Sequence, residues 1–277
     1  MKNNNSYKEI VEFLYNQYPV YQKQGKKAYK PDLNNIKKIC EILGNPQEYI
    51  KTIHVAGTNG KGSVCNMIYN IYKKNGFKVG IFSSPHLYDF RERIVINDEW
   101  ISKKYITDFY NSNFELFKII KPSFFEWTTA LAFNYFKDNN TKINIIETGL
   151  GGRLDSTNII IPELSIITTI GLDHQNILGN SLEKIAKEKA GIIKNNIPTL
   201  VGPEIAQLEM LSKICKEKNA ELFKVDYEEN KIISKLPNYQ LNNWKTAKKA
   251  VNILNPEIFL NEEPLDYITL KGRWQIV

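Results

Sequence analysis

The amino-acid sequence predicts an α/β protein with a mostly parallel sheet flanked by helices and a phosphate-binding (P-loop-type) turn after its first strand. Three observations carry that expectation. Short, largely apolar runs at Ile50 to Ala56, Lys78 to Phe82, Ile143 to Glu147 and Leu164 to Ile170 have the length of buried strands and are separated by segments with room for helices. The first run breaks into Gly57-Thr58-Asn59-Gly60-Lys61-Gly62-Ser63, three glycines around one lysine. The other runs lead into polar loops, and open α/β sheets bind ligands outside the carboxyl ends of their strands.

The glycine loop has a physical logic. Gly57, Gly60 and Gly62 let the backbone turn tightly and bring its N–H groups against phosphate oxygens, while the next helix presents its positive end to the same anion. Lys61 would reach the β and γ phosphates, and Ser63 would offer its hydroxyl to Mg²⁺ or a phosphate. Asn59, Gly60, Lys61, Gly62 and Ser63 are the candidate phosphate contacts, which the resemblance described below makes contacts to ATP. Val64, Met67, Ile68, Ile71 and Tyr72 follow helical spacing, and Asn75-Gly76 supplies the stop. Only two residues separate Gly57 from Gly60, and Gly62 stands between Lys61 and Ser63, unlike the commonest P-loop spacing. A plain glycine-rich turn between strand and helix is the alternative.

The 277 residues suffice for one large core. With 42% hydrophobic and 24% charged residues, disorder is not expected to dominate. No apolar run approaches membrane-span length and the N-terminus is too polar for a signal peptide, which predicts a cytoplasmic protein with no membrane partner. Cys40, Cys65 and Cys215 are far apart and suggest neither disulfides nor zinc. The net charge of +7 is spread along helix faces without a nucleic-acid-binding motif, so it suits solvated surfaces and polyanionic small ligands.

His54-Val55-Ala56-Gly57 followed by Thr58-Asn59-Gly60-Lys61-Gly62-Ser63 resembles the nucleotide loop of the folylpolyglutamate synthase/dihydrofolate synthase family, Mur-ligase-like ATP-dependent amide ligases. The later run Gly149-Leu150-Gly151-Gly152-Arg153-Leu154-Asp155-Ser156-Thr157-Asn158 resembles the folate ligases specifically. The resemblance implies a Mur ligase central-domain-like fold, ATP as co-substrate and two Mg²⁺ ions. It further implies that L-glutamate is joined to dihydropteroate or folate through an acyl phosphate.

Taken in order, Tyr7 to Tyr18 reads as a helix with Ile10, Val11, Phe13 and Leu14 on its apolar side, followed by a basic loop from Gln22 to Lys30. Pro31-Asp32-Leu33 stands where the family holds the pterin, departing from its usual Phe-Gly-Leu-Glu, and a second helix runs to about Leu43. The strand from Lys78 delivers Ser83-Ser84-Pro85-His86-Leu87, in which the resemblance makes Ser84 a Mg²⁺ ligand; a Ser-Pro turn is the alternative. Helices follow at about Ser102 to Ile120 and Phe125 to Phe136. Ser123-Phe124-Phe125-Glu126 fits a capping box, and in the family these four positions line the pteroate pocket.

Glu147, an acidic residue ending a core strand, is the first candidate for Mg²⁺. The resemblance adds Leu154, Asp155 and Ser156 as contacts to the pterin end, and His174 after Asp173 as a ligand of the second Mg²⁺. Leu182 to Ala190 reads as a helix ending at Gly191. Its Lys189 is either a solvated helix lysine or, by resemblance, a lysine that takes up CO₂ to become a carbamate ligand, which needs a desolvated neutral amine. Lys61, Lys189 and His174 are the candidate catalytic residues.

Gly202 to Ala220 suggests a further βα unit. Asn238 to Trp244 resembles the family's His-Gln-x-x-Asn, with Tyr239 for His and Asn243 at the adenine-contacting Asn, and Lys271-Gly272-Arg273 matches a linker Pro-Gly-Arg whose arginine binds ATP phosphates. Residues 1–268 are thus expected to form the ATP-binding domain with the pteroate pocket, and 269–277 the linker to a C-terminal domain absent from this sequence. A monomer is expected, with completion by a separate polypeptide as the alternative. The competing readings are an inactive nucleotide-binding remnant, another Mur-type ligase, and a nucleic-acid-stimulated ATPase.

Overall fold

The computed structural model describes residues 6–17, 32–203, 205–226, 236–258, 260 and 264–267. The basic loop from Gln22 to Lys30, Pro31, Arg273 and the whole linker 269–277 lie outside these residues.

Eight strands make one sheet: β1 (Thr52–Ala56), β2 (Val79–Phe82), β3 (Ile94–Ile96), β4 (Glu99–Trp100), β5 (Ile143–Glu147), β6 (Leu164–Ile167), β7 (Thr199–Val201) and β8 (Leu222–Lys224), in the spatial order β4-β3-β2-β5-β1-β6-β7-β8. β1 lies between β5 and β6 and pairs parallel with both. β2 with β5, β6 with β7 and β7 with β8 are also parallel, whereas β3 and β4 close one edge antiparallel. All five residues of β1 and of β5 are buried, as central strands covered on both faces require.

Helices α1 (Tyr7–Gln17), α2 (Asn34–Ile42), α4 (Lys103–Ile120) and α5 (Phe124–Asp138) share one core, at whose centre Trp127 packs against Phe90, Phe109, Tyr110 and Phe117. Helix α3 (Lys61–Lys74) and helix α9 (Asn238–Leu254) enclose a second core, which receives Val64, Met67, Ile68, Ile71 and Tyr72. Helices α6 (Gln175–Leu178), α7 (Leu182–Ala190) and α8 (Leu208–Glu217) border a third.

Several expectations need correction. β1 starts at Thr52 and not at Ile50, and β6 stops at Ile167, so that Thr168 to Ile170 already belong to the loop. The βα unit assigned to Gly202 to Ala220 has its strand before Gly202, because Thr199 to Val201 are the residues that pair with β6. Helix α3 begins two residues before Ser63, at Lys61. The β3–β4 hairpin was not foreseen.

Candidate active site

Two neighbouring strands build the phosphate loop. β1 runs directly into Gly57, and the residues after β6 hold the turn: Thr168 Oγ1 donates to the Asn59 carbonyl at 2.6 Å, and the Asn59 amide donates to Thr169 Oγ1 at 2.9 Å. Thr58 Oγ1 donates to the Gly171 carbonyl at 3.1 Å and accepts from the Gly171 amide at 2.9 Å. Gly60, the cap of α3, has φ +83°, and a β-carbon there would run into the side-chain amide of Asn243 on α9. Glycine is required at Gly60 on both counts. Lys61 folds back over the loop, its Nζ donating to the carbonyls of Gly57 at 2.9 Å and Thr58 at 3.4 Å.

Between this loop and α9 lies a cavity of about 490 Å³, lined by Asn59, Gly60, Ser63, Thr168, Gln240 and Asn243 among others. Asn243 Nδ2 donates to Gln240 Oε1 at 3.1 Å, which orients the amide. Tyr239, where the family pattern has His, lines the same cavity. The distant segments 57–63 and 239–243 therefore face one space.

The ends of β2 and β5 meet beside it: the Ser84 amide donates to Glu147 Oε2 at 3.1 Å, and Glu147 is buried. Lys189 on α7 is 2% exposed. Burial pushes its amine down to about 8, helped by the like charge of Lys61 and opposed by Asp173, so these three groups feel one another. His174 lies at the start of α6 with φ +47°, its Nε2 3.4 Å from Asp173 Oδ2, and its side chain is 38% exposed. Among the described residues no three His, Cys, Asp or Glu side chains gather as a ready-made metal cage. The donors present, Glu147 with Ser84 on one side and Asp173 with His174 near Lys189 on the other, fit an ion that keeps waters and phosphate oxygens among its ligands, as Mg²⁺ does.

On the other side of β5, Ser123 and Glu126 form the expected capping box, with the Ser123 amide donating to Glu126 Oε2 at 2.5 Å and the Glu126 amide to Ser123 Oγ at 3.2 Å. The two aromatic residues between them differ. Phe124 is buried and stacks on Tyr15 with ring centroids 4.7 Å apart. Phe125 is half-buried beneath the backbone of Gly149, where a β-carbon would come within 2.6 Å of its ring. Of the two rings, Phe125 is the one that keeps part of its surface exposed.

The loop from Gly149 to Asn158 interlocks with α7. Arg153 donates its amide to the Glu188 carbonyl at 2.7 Å and its Nη2 to Glu188 Oε1 at 2.8 Å, and Asn158 Nδ2 donates to the Gly191 carbonyl at 3.0 Å. Leu154 and Ser156 are half-buried on this loop. Asp155 is buried and turned inward: Oδ2 accepts from the Leu150 amide at 2.8 Å, and Oδ1 from the Thr157 amide at 3.0 Å and hydroxyl at 2.5 Å. These partners belong to its own loop. Burial raises its carboxyl against the pull of those donors.

The Thr157 hydroxyl, having given its proton to Asp155, accepts from His54 Nε2 at 2.8 Å. His54, on β1, therefore carries a proton on Nε2, burial keeps the ring neutral, and its buried Nδ1 has no hydrogen-bond partner among the described residues. Burial first, then Lys194, pushes its imidazole down to about 3. Unfolded His54 would take a proton near pH 6.5 while the folded residue refuses it until about pH 3. Its full contribution is thus present above pH 6.5 and is lost as pH falls, by about 2 kcal/mol at pH 5. Urea unfolding at pH 7 and pH 5 is expected to show that loss, and a His54→Gln variant to abolish the part due to this residue. His54, Thr157 and the two threonines after β6 were not picked out from sequence, since His54 lies in a strand, the two threonines follow one and Thr157 lies in the 3₁₀ turn Ser156–Ile159, and only the folded chain reveals their partners.

The Mur ligase middle domain matches residues 55–259. The chain is 44% identical over 195 residues to the dihydrofolate synthase/folylpolyglutamate synthase of Bacillus subtilis, covering 68% of this chain and 45% of that one. The folylpolyglutamate synthase of Thermotoga maritima superposes with a TM-score of 0.83 at 32% identity, over 98% of this chain and 68% of that one. A folylpolyglutamate synthase solved with AMPPCP and folate gives a TM-score of 0.82 at 28% identity, over 95% and 70%. The chain spans about half the length of the curated relatives it matches. With its Gly-Lys-Gly phosphate loop, its parallel sheet and these likenesses together, the chain belongs to the Mur ligase middle-domain family, in its folylpolyglutamate synthase/dihydrofolate synthase branch.

Proposed function

We propose that this chain is the ATP-binding part of an amide ligase that adds L-glutamate to dihydropteroate or a folate. One observation carries the reading. The phosphate loop opens on a nucleotide-sized cavity and stands beside a desolvated lysine, with a strand-end carboxylate at the neighbouring strand tip. The relative solved with AMPPCP and folate supports the same pair of ligands here.

The glycine loop and Lys61 would hold the β and γ phosphates, with the base between the loop and Asn243. Arg273 would add a phosphate contact from the linker. Phe125 would carry the pterin ring, with Ser123 and Glu126 shaping the pocket floor, while Leu154 and Ser156 would border it on the loop that Asp155 fixes. One oxygen of the substrate carboxylate attacks the γ-phosphorus, and the bond to ADP breaks with its electron pair leaving on ADP. The glutamate amine then attacks the acyl carbon, phosphate departs, and the amine proton is lost. No side-chain nucleophile takes part, because positioning and charge neutralisation suffice for such transfers.

Glu147 and Ser84 would hold one Mg²⁺, and Lys189, as a carbamate, with His174 the other; bound Mg²⁺ would neutralise phosphate charge. Lys189 fits its role because an amine pushed down to about 8 supplies the neutral nitrogen that attacks CO₂ and then loses a proton.

The test is formation of dihydrofolate from dihydropteroate, L-glutamate and ATP, followed by chromatography together with ADP release. Dihydropteroate-dependent ADP release supports the assignment. Tight ATP binding with no dihydropteroate binding would leave a nucleotide-binding domain alone, and binding of a UDP-linked precursor would move it to the cell-wall ligases.

A further inference from the structure

Arg93 has no part in the chemistry above, yet its setting is unusual. It ends the 3₁₀ turn Phe90–Arg93 and leads into β3, and its carbonyl accepts from the Ser83 amide at 3.0 Å, which ties it to the loop carrying Ser84. The residue is only 3% exposed. Its guanidinium lies over the Phe124 ring at 5.3 Å, and Nε donates to His86 Nδ1 at 2.7 Å. With Nδ1 accepting, His86 is neutral and turns its Nε2 proton to the Tyr15 hydroxyl 2.9 Å away, and that hydroxyl also meets Arg93.

No carboxylate pairs with this cation: none of the ion pairs among the described residues includes Arg93. Glu147 and Glu92 both act on it through space. A buried arginine held by two neutral rings and a phenyl face is expensive unless a ligand supplies the charge, and its planar fork matches a carboxylate.

We infer that Arg93 anchors the carboxylate of the acceptor substrate, next to the Ser84–Glu147 loop where that carboxylate must meet the γ-phosphate. The inference rests on the ligase reading, since it names the end of the substrate that Arg93 holds. His86 and Tyr15 are positioning residues that fix the plane of the guanidinium.

The experiment is calorimetric binding, with a non-hydrolysable ATP analogue present, of dihydropteroate and of the same molecule with hydrogen in place of its carboxylate. Wild type, Arg93→Met and Arg93→Lys are compared. Arg93→Met is expected to weaken dihydropteroate by about 30-fold or more and to leave the uncharged analogue and the ATP analogue within about twofold, with Arg93→Lys between. Equal losses for both pterins would make Arg93 a packing residue, an unchanged dihydropteroate affinity would remove it from the site, and a loss confined to the ATP analogue would assign it to a phosphate; each overturns the inference alone. Wild type that binds nucleotide but neither pterin would instead overturn the ligase reading, and this inference with it. The ATP analogue also reports folding of each variant, and Arg93→Lys keeps the charge should Arg93→Met fail to fold.

Discussion

Gly60→Ala is expected to weaken ATP binding roughly 100-fold, about 2.7 kcal/mol, with little change in thermal stability beyond the strain of the site itself. Two costs add. At φ +83° a β-carbon is unfavourable by about 1–2 kcal/mol, and here it would also strike the Asn243 amide, so either the loop or α9 must shift. Both movements open the cavity in which the nucleotide would lie and turn the loop N–H groups away from the phosphates. Titration calorimetry with Mg²⁺-ATP measures the effect directly. An affinity within threefold of wild type would mean that this loop does not cradle phosphate.

Lys189→Met is expected to lower amide-forming turnover on the order of 100- to 1,000-fold while ATP still binds within a few fold. Methionine has a similar length and tolerates burial, so α7 should keep its place against the loop of Arg153. What disappears is the amine. A readout independent of turnover is available: with ¹³C-labelled bicarbonate the wild-type chain is expected to show a carbamate carbon that Lys189→Met lacks. Loss of ATP binding in the variant, or an unchanged carbamate signal, would contradict the role given to this lysine.

How far the sequence foretold these sites depends on the range over which each signal acts. The β1–loop–α3 unit was legible because its causes are local: an apolar run, glycines where the chain turns, and apolar residues at helical spacing. The capping box at Ser123 and Glu126 was legible for the same reason. The β3–β4 hairpin was missed because strands of three and two residues carry no periodicity; its signal was Asn97-Asp98, both at positive φ in the structure, the pair a tight hairpin turn prefers.

Lys189 could be named by resemblance, but its burial could not be read from a helix with lysines at 184, 187 and 189. It depends on Gly152 lying against the backbone carbonyls of Glu188 and Lys189, where a β-carbon would come within 2.8 Å and 2.9 Å. Asp155 shows the reverse case. The resemblance named it as a pterin contact, and the pattern Asp-Ser-Thr carried a local signal besides, that of a side chain that closes its own turn.

The hydrogen bonds from His54 through Thr157 to Asp155 also set how the region breathes. The amides of Leu150 and Thr157 lie in a loop, where exchange with solvent deuterium is ordinarily fast. Their shared acceptor, however, is gripped by a hydroxyl that β1 holds through His54. Opening the loop around either amide therefore works against its tie to β1, and both are expected to exchange more slowly than loop amides without such a tie, which hydrogen-exchange mass spectrometry would measure.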